Sequence, residues 1–226
     1  KKTLAVSVSK ESSNPSVNRA ERRGDYWTFG GIFRPVWLEA RPPHHIEWTA
    51  IDARADGNFY AQAHLNAVPP AGSTVSAQIY DATGALVGDP VSATIAPNST
   101  AALLRTSVGE PSAWSAEHPH LYRVHFALHG PSVGSNNATE SGVLHEVDER
   151  FGFRTFEVRP RDGLYLNGRK IVLKGVNRHS FRPATGRTLT RADSYTDARL
   201  IKQMNMNAVR MSHYPPDKHF LQAADE

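Results

Sequence analysis

The feature that most constrains this chain is a series of short alternating segments that fills its middle. Between about residues 46 and 147, apolar and polar side chains alternate with a period of two, the spacing of strands that bury one face. Turn pairs such as Asp56-Gly57 and Thr83-Gly84 lie between these segments. Strands at this interval predict two packed antiparallel sheets, an immunoglobulin-like β-sandwich. The alternating apolar positions are Phe59, Ala61, Ala63 and Leu65, then Val75, Ala77 and Ile79, then Tyr122, Val124, Phe126 and Leu128.

Composition excludes several classes of protein. The chain has no cysteine, so it has no disulfide, no thiolate metal site and no cysteine nucleophile. Its longest apolar runs fall far short of the ~20 residues of a membrane helix, and we expect no membrane contact. The net charge is +4, but basic and acidic residues are interspersed, which argues against binding to nucleic acid. The first residues lack the apolar core of a signal peptide, and the compartment stays open between cytoplasm and periplasm.

The two ends of the chain have different patterns from the middle. Leu4, Val6 and Val8 alternate, and Gly30-Gly31 leads into a second apolar run, which predicts the last strands of a β-domain that begins before residue 1. After residue 151 the order strand, helix, strand, helix predicts parallel α/β structure. Its expected parts are a hairpin turning at Asn167-Gly168, a buried strand over 171–176, a helix opened by a Thr190–Asp193 capping box with Ala198, Ile201 and Met204 inside, a strand over 207–211, and a helix burying Phe220, Leu221 and Ala224.

Three segments of the chain resemble segments of glycoside hydrolase family 2, and they occur in that family's order. Residues 24–36 are similar to the end of its jelly-roll sugar-binding domain, and residues 173–179 and 207–215 to the first two strands of its catalytic (β/α)8 barrel. Residues 114–122 resemble its linking sandwich, and Met211 departs from the small residue usual at its position. The resemblance implies an internal fragment with three parts. These are 1–40, the C-terminal part of the jelly roll; 41–150, the immunoglobulin-like sandwich; and 151–226, the start of the barrel.

The resemblance also assigns roles to residues, as expectations. Asn177, His179 and His213 would contact sugar hydroxyls, which imidazoles can serve as donors or acceptors. Arg210 would hold the nucleophilic glutamate ionised through a charge-assisted hydrogen bond. Asp25 would accept hydrogen bonds from a sugar hydroxyl or help to hold a monovalent cation. The resemblance also implies Na⁺ or Mg²⁺ as a cofactor and a homo-oligomer as the assembly of the full-length enzyme.

Retaining glycoside hydrolysis needs two carboxyl groups ~5–5.5 Å apart. In family 2 both are glutamates at the ends of later barrel strands, whereas Glu117, Glu149 and Glu226 stand elsewhere. We therefore expect the catalytic pair to lie beyond Glu226 and the chain alone to be inactive. The Asn177-Arg178-His179 segment resembles the β-galactosidase branch, which implies cleavage of terminal β-galactosides.

Alternatives remain open at this stage. A β-glucuronidase would be expected to carry lysine where Arg178 stands, and β-mannosidases diverge around this strand end. The central domain alone would also fit a non-catalytic carbohydrate-binding sandwich. Asn177 and Arg178 could merely shape the strand end, and Trp27, Phe29 and Trp37 could pack in a core or stack on sugar. The paired histidines at 44/45 and 118/120 have no carboxylates at ligand spacing and predict no metal site.

Overall fold

A computed structural model describes residues 3–23, 29–131 and 142–226 of the chain. The chain has two compact units. One comprises Glu39–Leu173 with Asp225–Glu226, and the other comprises Lys1–Leu38 with Lys174–Ala224. No helix in the described ranges is long and apolar enough to cross a bilayer.

The first unit contains the predicted β-sandwich. Seven strands form a three-stranded sheet in the order β1-β2-β5 and a four-stranded sheet in the order β4-β3-β6-β7, and every pairing is antiparallel. This arrangement confirms the immunoglobulin-like sandwich. The strands are β1 (Ile46–Ala53), β2 (Asn58–Leu65), β3 (Thr74–Tyr80), β4 (Leu86–Thr94), β5 (Ala101–Ser107), β6 (Tyr122–His129) and β7 (Val143–Phe151).

The sandwich core contains the residues that the alternation selects. All the predicted inward positions of β2, β3 and β6 are buried, except Tyr122 at the start of β6, which is half-buried. Aromatic rings close one end of the core, with the ring of Phe151 centred 5.2 Å from the rings of both Phe59 and Phe153. Because the chain has no disulfide, this packing is the main stabilising contribution to the unit.

A small antiparallel sheet follows the sandwich in the same unit. It has the strand order β10-β9-β8, with β8 at Phe156–Arg159, β9 at Gly163–Leu166 and β10 at Arg169–Ile171. The predicted Asn-Gly turn joins β9 to β10, and both of its residues have positive φ, 50° at Asn167 and 75° at Gly168. The Asn167 side chain also accepts a hydrogen bond from the Thr155 amide and donates one to the Trp114 carbonyl, each at 2.9 Å.

The predicted strand over 171–176 is wrong, because two short strands take its place. Ile171 ends β10, where it pairs with Leu164, and the next strand begins only at Gly175. Val172 and Leu173 between them are exposed. The segment divides because its two halves bond to different neighbours, and apolar composition does not reveal a change of partner.

The second unit contains the alternating α/β elements. Strands β11 (Gly175–Arg178) and β12 (Ala208–Met211) pair in parallel and are joined through helix α2 (Arg191–Gln203), and helix α3 (Lys218–Asp225) follows β12. The strands approach closely at Gly175, where a Cβ atom would lie 2.3 Å from the carbonyl oxygen of Ala208. Only glycine fits there without forcing the strands apart.

The inner faces of the two helices are only partly as predicted. The Thr190–Asp193 capping box is present, and Ala198 and Ile201 are half-buried, but Met204 lies beyond the last helical residue and is exposed. In α3, Phe220 and Ala223 are buried, whereas Leu221 and Ala224 are exposed. Both pairs are three residues apart and fit helical periodicity equally, so the packing partner decides which face is buried.

The predicted strands near the N-terminus are also wrong within the described residues. Leu4, Val6 and Val8 are exposed and belong to no strand. The described residues 29–38 belong to no strand either, and all of them are exposed except Phe33, which is half-buried. A strand needs a neighbour to satisfy its N–H and C=O groups, and no described strand lies beside them. Helix α1 (Pro15–Arg22) occurs instead, and the Asn14 side chain caps it by accepting from the amides of Ser16 and Val17. The assignment of residues 1–40 to a jelly roll stays a prediction.

Candidate active site

The candidate residues meet where β11 and β12 end. The strands are parallel, so their carboxyl ends lie at the same edge, which is where barrel enzymes build their sites. Asn177 is the register partner of Arg210, and Arg178 is the partner of Met211. His179 and His213 follow these strands by one and two residues, respectively. Asp25 lies outside the described residues, as does Trp27.

Arg210 contacts three other side chains. Its Nη1 donates to Ser212 Oγ at 3.0 Å and makes a longer contact of 3.4 Å with Asn177 Oδ1. Its Nη2 lies 3.0 Å from His213 Nδ1. A guanidinium has five N–H donors, so these contacts are compatible with a further bond to a carboxylate.

The two predicted histidines, His179 and His213, lie next to each other in the structure. The rings of His179 and His213 meet edge to face, with centroids 5.4 Å apart, and the Tyr214 ring lies 6.3 Å from that of His179. The Tyr214 hydroxyl accepts a hydrogen bond of 3.0 Å from the Ser180 amide. Four of the five predicted residues, Asn177, His179, Arg210 and His213, are therefore brought together with Tyr214 beside them.

Arg178 has a supporting position. Its side chain is 6% exposed, its Nε donates to Asp197 Oδ2 at 2.8 Å, and its Nη1 donates to Ser180 Oγ at 3.0 Å. The guanidinium also lies over the Phe220 ring, 4.0 Å from its centre. Asp197 bonds Arg182 with its other oxygen. Of the two interpretations left open for Arg178, the geometry favours the residue that shapes the strand end.

A cleft of about 340 Å³ adjoins this cluster. Its lining includes His213, Tyr214 and Arg187, together with Phe29 and the Gly30-Gly31 pair. The Arg187 guanidinium lies between two aromatic rings, 4.1 Å from the centre of Phe33 and 4.0 Å from that of Tyr214.

Phe29 and Trp37, which could pack in a core or stack on sugar, differ in their surroundings. Phe29 stacks on the Phe181 ring at 5.5 Å, as a packing residue would, although 38% of it is exposed. Trp37 is mostly exposed and so does not belong to a core.

Sequence reasoning missed Ser212, Tyr214 and Arg187. Ser212 and Tyr214 stand inside the 207–215 segment already singled out, so position was a usable signal for both. Nothing in the sequence indicated Arg187, whose place depends on rings distant in the chain.

The described residues give no support for a resident metal ion. In residues 3–23, 29–131 and 142–226, no three His, Asp or Glu side chains converge as ligands. Asp25, the carboxylate that the resemblance connects with a monovalent cation, lies outside the described residues.

The ends of the two strands also bear on the chemistry. They carry Asn177, Arg178, Arg210 and Met211, none of which is a carboxylic acid. Glu149 lies on β7 of the sandwich. These strand ends can bind and orient a polar ligand, but they cannot by themselves supply a nucleophile and an acid.

Comparison with known proteins agrees with this geometry. The family model described as glycosyl hydrolases family 2 matches residues 44–154, and the one described as its TIM barrel domain matches residues 156–226. A β-galactosidase of Halalkalibacterium halodurans is 37% identical over 89% of this chain and 19% of its own length. A β-galactosidase of Lactobacillus delbrueckii subsp. bulgaricus is 35% identical over 99% of this chain and 21% of its own.

A solved structure gives a similar result. The β-glucuronidase 2 of Bacteroides uniformis, 28% identical, superposes with a TM-score of 0.74 over 90% of this chain and 25% of that one. The chain thus spans about a fifth of the length of the curated relatives described above. Because the two family models together cover most of its residues, the chain belongs to family 2 of the glycosyl hydrolases.

Proposed function

We propose that this chain is part of a retaining β-galactosidase and supplies sugar-binding and nucleophile-orienting residues to its active site. The observation that carries the proposal is the cluster of Asn177, His179, Arg210 and His213 at the carboxyl ends of two adjacent parallel strands. Support for the galactoside comes from the resemblance of residues 177–179 to that branch and from the names of the two curated relatives.

Each residue has a role that its chemistry permits. His179 and His213 hydrogen-bond hydroxyl groups of the galactose unit, and Asn177 adds an amide that can donate and accept. Arg210 donates a charge-assisted bond to the nucleophilic glutamate, which favours its ionised form. By resemblance alone, Asp25 accepts from a sugar hydroxyl.

The catalytic carboxyl groups are proposed to come from other strands of the barrel. The retaining mechanism needs one carboxylate to form the glycosyl intermediate and a second carboxyl group, ~5–5.5 Å away, to protonate the leaving group. Since β11 and β12 end without a carboxylic acid, we expect the purified 226 residues not to hydrolyse a nitrophenyl β-galactoside. Measurable turnover by this chain would overturn that part of the proposal.

The test of function uses the complete enzyme that contains this chain. Arg210→Ala should reduce kcat/KM strongly, because a glutamate without its guanidinium has a raised pKa and is less ionised at neutral pH. Its rate profile should also move to higher pH. His213→Ala should lower kcat/KM roughly ten- to a hundredfold, since an unpaired hydrogen-bonding partner costs ~1–3 kcal/mol. Arg199→Ala, an exposed arginine on α2, is the matched control and should leave kcat/KM unchanged.

Two outcomes would contradict this assignment. If both variants keep normal kinetics and only their melting temperatures fall, Arg210 and His213 are structural residues. If the enzyme prefers a nitrophenyl β-glucuronide or β-mannoside, the substrate is wrong while the residue roles can stand. The likeness to a solved β-glucuronidase makes the glucuronide the first alternative to assay.

A further inference from the structure

The contact between Arg210 and His213 determines which ring nitrogen of the histidine carries a proton. The two atoms, Arg210 Nη2 and His213 Nδ1, lie 3.0 Å apart, within hydrogen-bonding distance. A guanidinium can only donate, so Nδ1 must accept through a bare lone pair. A neutral imidazole with a bare Nδ1 carries its hydrogen on Nε2.

The orientation of the guanidinium is itself fixed by a buried hydroxyl. Ser212 is 1% exposed, and its Oγ accepts from Arg210 Nη1 at 3.0 Å. The Ser212 amide is bonded to the carbonyl of Arg178 at 3.0 Å, which ties this hydroxyl to the neighbouring strand β11. Because the guanidinium is planar and rigid, anchoring Nη1 and Nη2 on two acceptors sets the direction of the whole group.

We propose that Arg210 is a positioning residue for His213, held in place by Ser212, and that it keeps His213 as the neutral Nε2–H tautomer. In that tautomer Nε2 can act as a hydrogen-bond donor but not as an acceptor. Given the proposed function, the atom it recognises is a sugar hydroxyl oxygen acting as acceptor. The same arginine thus has two tasks, to orient the nucleophile and to set the polarity of one binding contact.

Nuclear magnetic resonance measures this tautomer directly in the 226-residue chain, without any sugar. The chain is labelled with ¹⁵N in histidine. Long-range ¹H–¹⁵N correlations are recorded at a pH about 2 units above the ordinary histidine pKa of about 6.5. His213→Gln assigns the signals by removing one set. The wild type should show a protonated Nε2 and a bare Nδ1 at His213. A protonated Nδ1 in the wild type would overturn the inference, whatever the variants do.

Variants test whether Arg210 is the cause. Arg210→Met removes the donor, and the two nitrogen shifts of His213 should move toward each other as both tautomers become populated. Ser212→Ala should produce a smaller movement in the same direction, and Arg210→Lys should restore part of the wild-type pattern. Arg199→Met is the matched control and should change nothing at His213 or at the exposed His120. If His213 keeps a pure Nε2–H tautomer in Arg210→Met, Arg210 does not set it.

This result is independent of the proposed function. An enzyme that hydrolyses β-galactosides but shows Nδ1–H at His213 overturns only the inference about the tautomer. A confirmed tautomer in an enzyme that does not act on galactosides overturns only the substrate.

Discussion

Asp197 supports the candidate site by forming ion pairs with two arginines. One of its carboxylate oxygens binds the Arg178 guanidinium and the other binds Arg182. The Asp197 side chain is 14% exposed and that of Arg178 is 6% exposed. Water therefore solvates neither charged group well, and each depends on the other as its counter-charge. Because Arg178 ends β11, the geometry of the strand end depends on a carboxylate carried by α2.

Asp197→Ala should therefore destabilise the α/β unit by about 3–5 kcal/mol, because it leaves Arg178 buried without a counter-charge. Faster amide hydrogen exchange in β11 and α2 would report the loss. Glu157→Ala removes the partner of Arg159 in an exposed pair and should change little, since such pairs contribute ~0–1 kcal/mol. If Asp197→Ala exchanges like the wild type, the ion pair does not hold the strand end.

For individual residues, the sequence predicts which residue types belong to the candidate site better than it predicts which side chains they contact. Arg210 and His213 could be singled out because the 207–215 segment that contains them resembles a segment of family 2, and their three-residue spacing after a short apolar strand is compatible with one pocket. The partnership of Arg178 with Asp197 could not, since nineteen positions separate them and the contact exists only once α2 packs on β11. The burial of Ser212 likewise follows from packing, not from its own type.

Among the elements, helix α2 begins with a capping box in which Thr190 and Asp193 bond each other reciprocally. Thr190 Oγ1 accepts from the Asp193 amide at 3.2 Å, and Asp193 Oδ2 accepts from the Thr190 amide at 2.8 Å. Thr190→Ala should cost about 1 kcal/mol of helix stability. Hydrogen exchange of the first-turn amides measures it. Thr196→Ala, at an exposed position of the same helix, is the control and should be neutral or slightly stabilising. Equal exchange in the two variants would mean that the capping box contributes nothing.

The capping box also predicts a dependence on pH. The backbone hydrogen bond from Thr190, followed by that residue's hydroxyl and by Arg182, lowers the pKa of Asp193. A lowered pKa in the folded state means that the carboxylate stabilises the protein above the ordinary aspartate pKa. This contribution is lost as the pH falls through the folded pKa.

Asp193→Asn should therefore melt below the wild type at neutral pH, and the difference should vanish about 2 units below the ordinary aspartate pKa of about 3.9. Melting curves followed by circular dichroism at the two pH values test this. A difference that persists in acid would show that the variant acts through shape rather than charge.

Elements with a local signal could be predicted, and those defined by a neighbour could not. Some signals need only a few consecutive residues, namely the alternation in β2, β3 and β6, the Asn-Gly turn and the capping box. The alternation at Leu4, Val6 and Val8 is equally regular but has no described strand beside it. Helix α1 was not predicted, although it follows the Asn14-Pro15 pair, which is typical of a helix start and was its local signal.

For the molecule as a whole, the two units should differ in stability. The sandwich contains a continuous buried apolar cluster drawn from all seven of its strands, if the half-buried residues Val87 and Val91 of β4 are included. In the described part of the other unit, the buried apolar side chains are Phe220 and Ala223. Amides of β1–β7 should therefore exchange most slowly, and those of residues 3–9 fastest. Uniform protection along the chain would contradict this expectation.

The glycine at position 175 has a consequence for anyone who wishes to redesign this protein. The strands that carry Asn177 and Arg210 lie so close together at Gly175 that only the hydrogen atom of a glycine fits between them there. Any larger side chain there acts as a wedge, two residues from the cluster and without replacing any member of it. A substitution at Gly175 would thus shift the strand ends that carry Asn177 and Arg210 without replacing either residue, so a redesign of the candidate site can begin in the backbone that supports it.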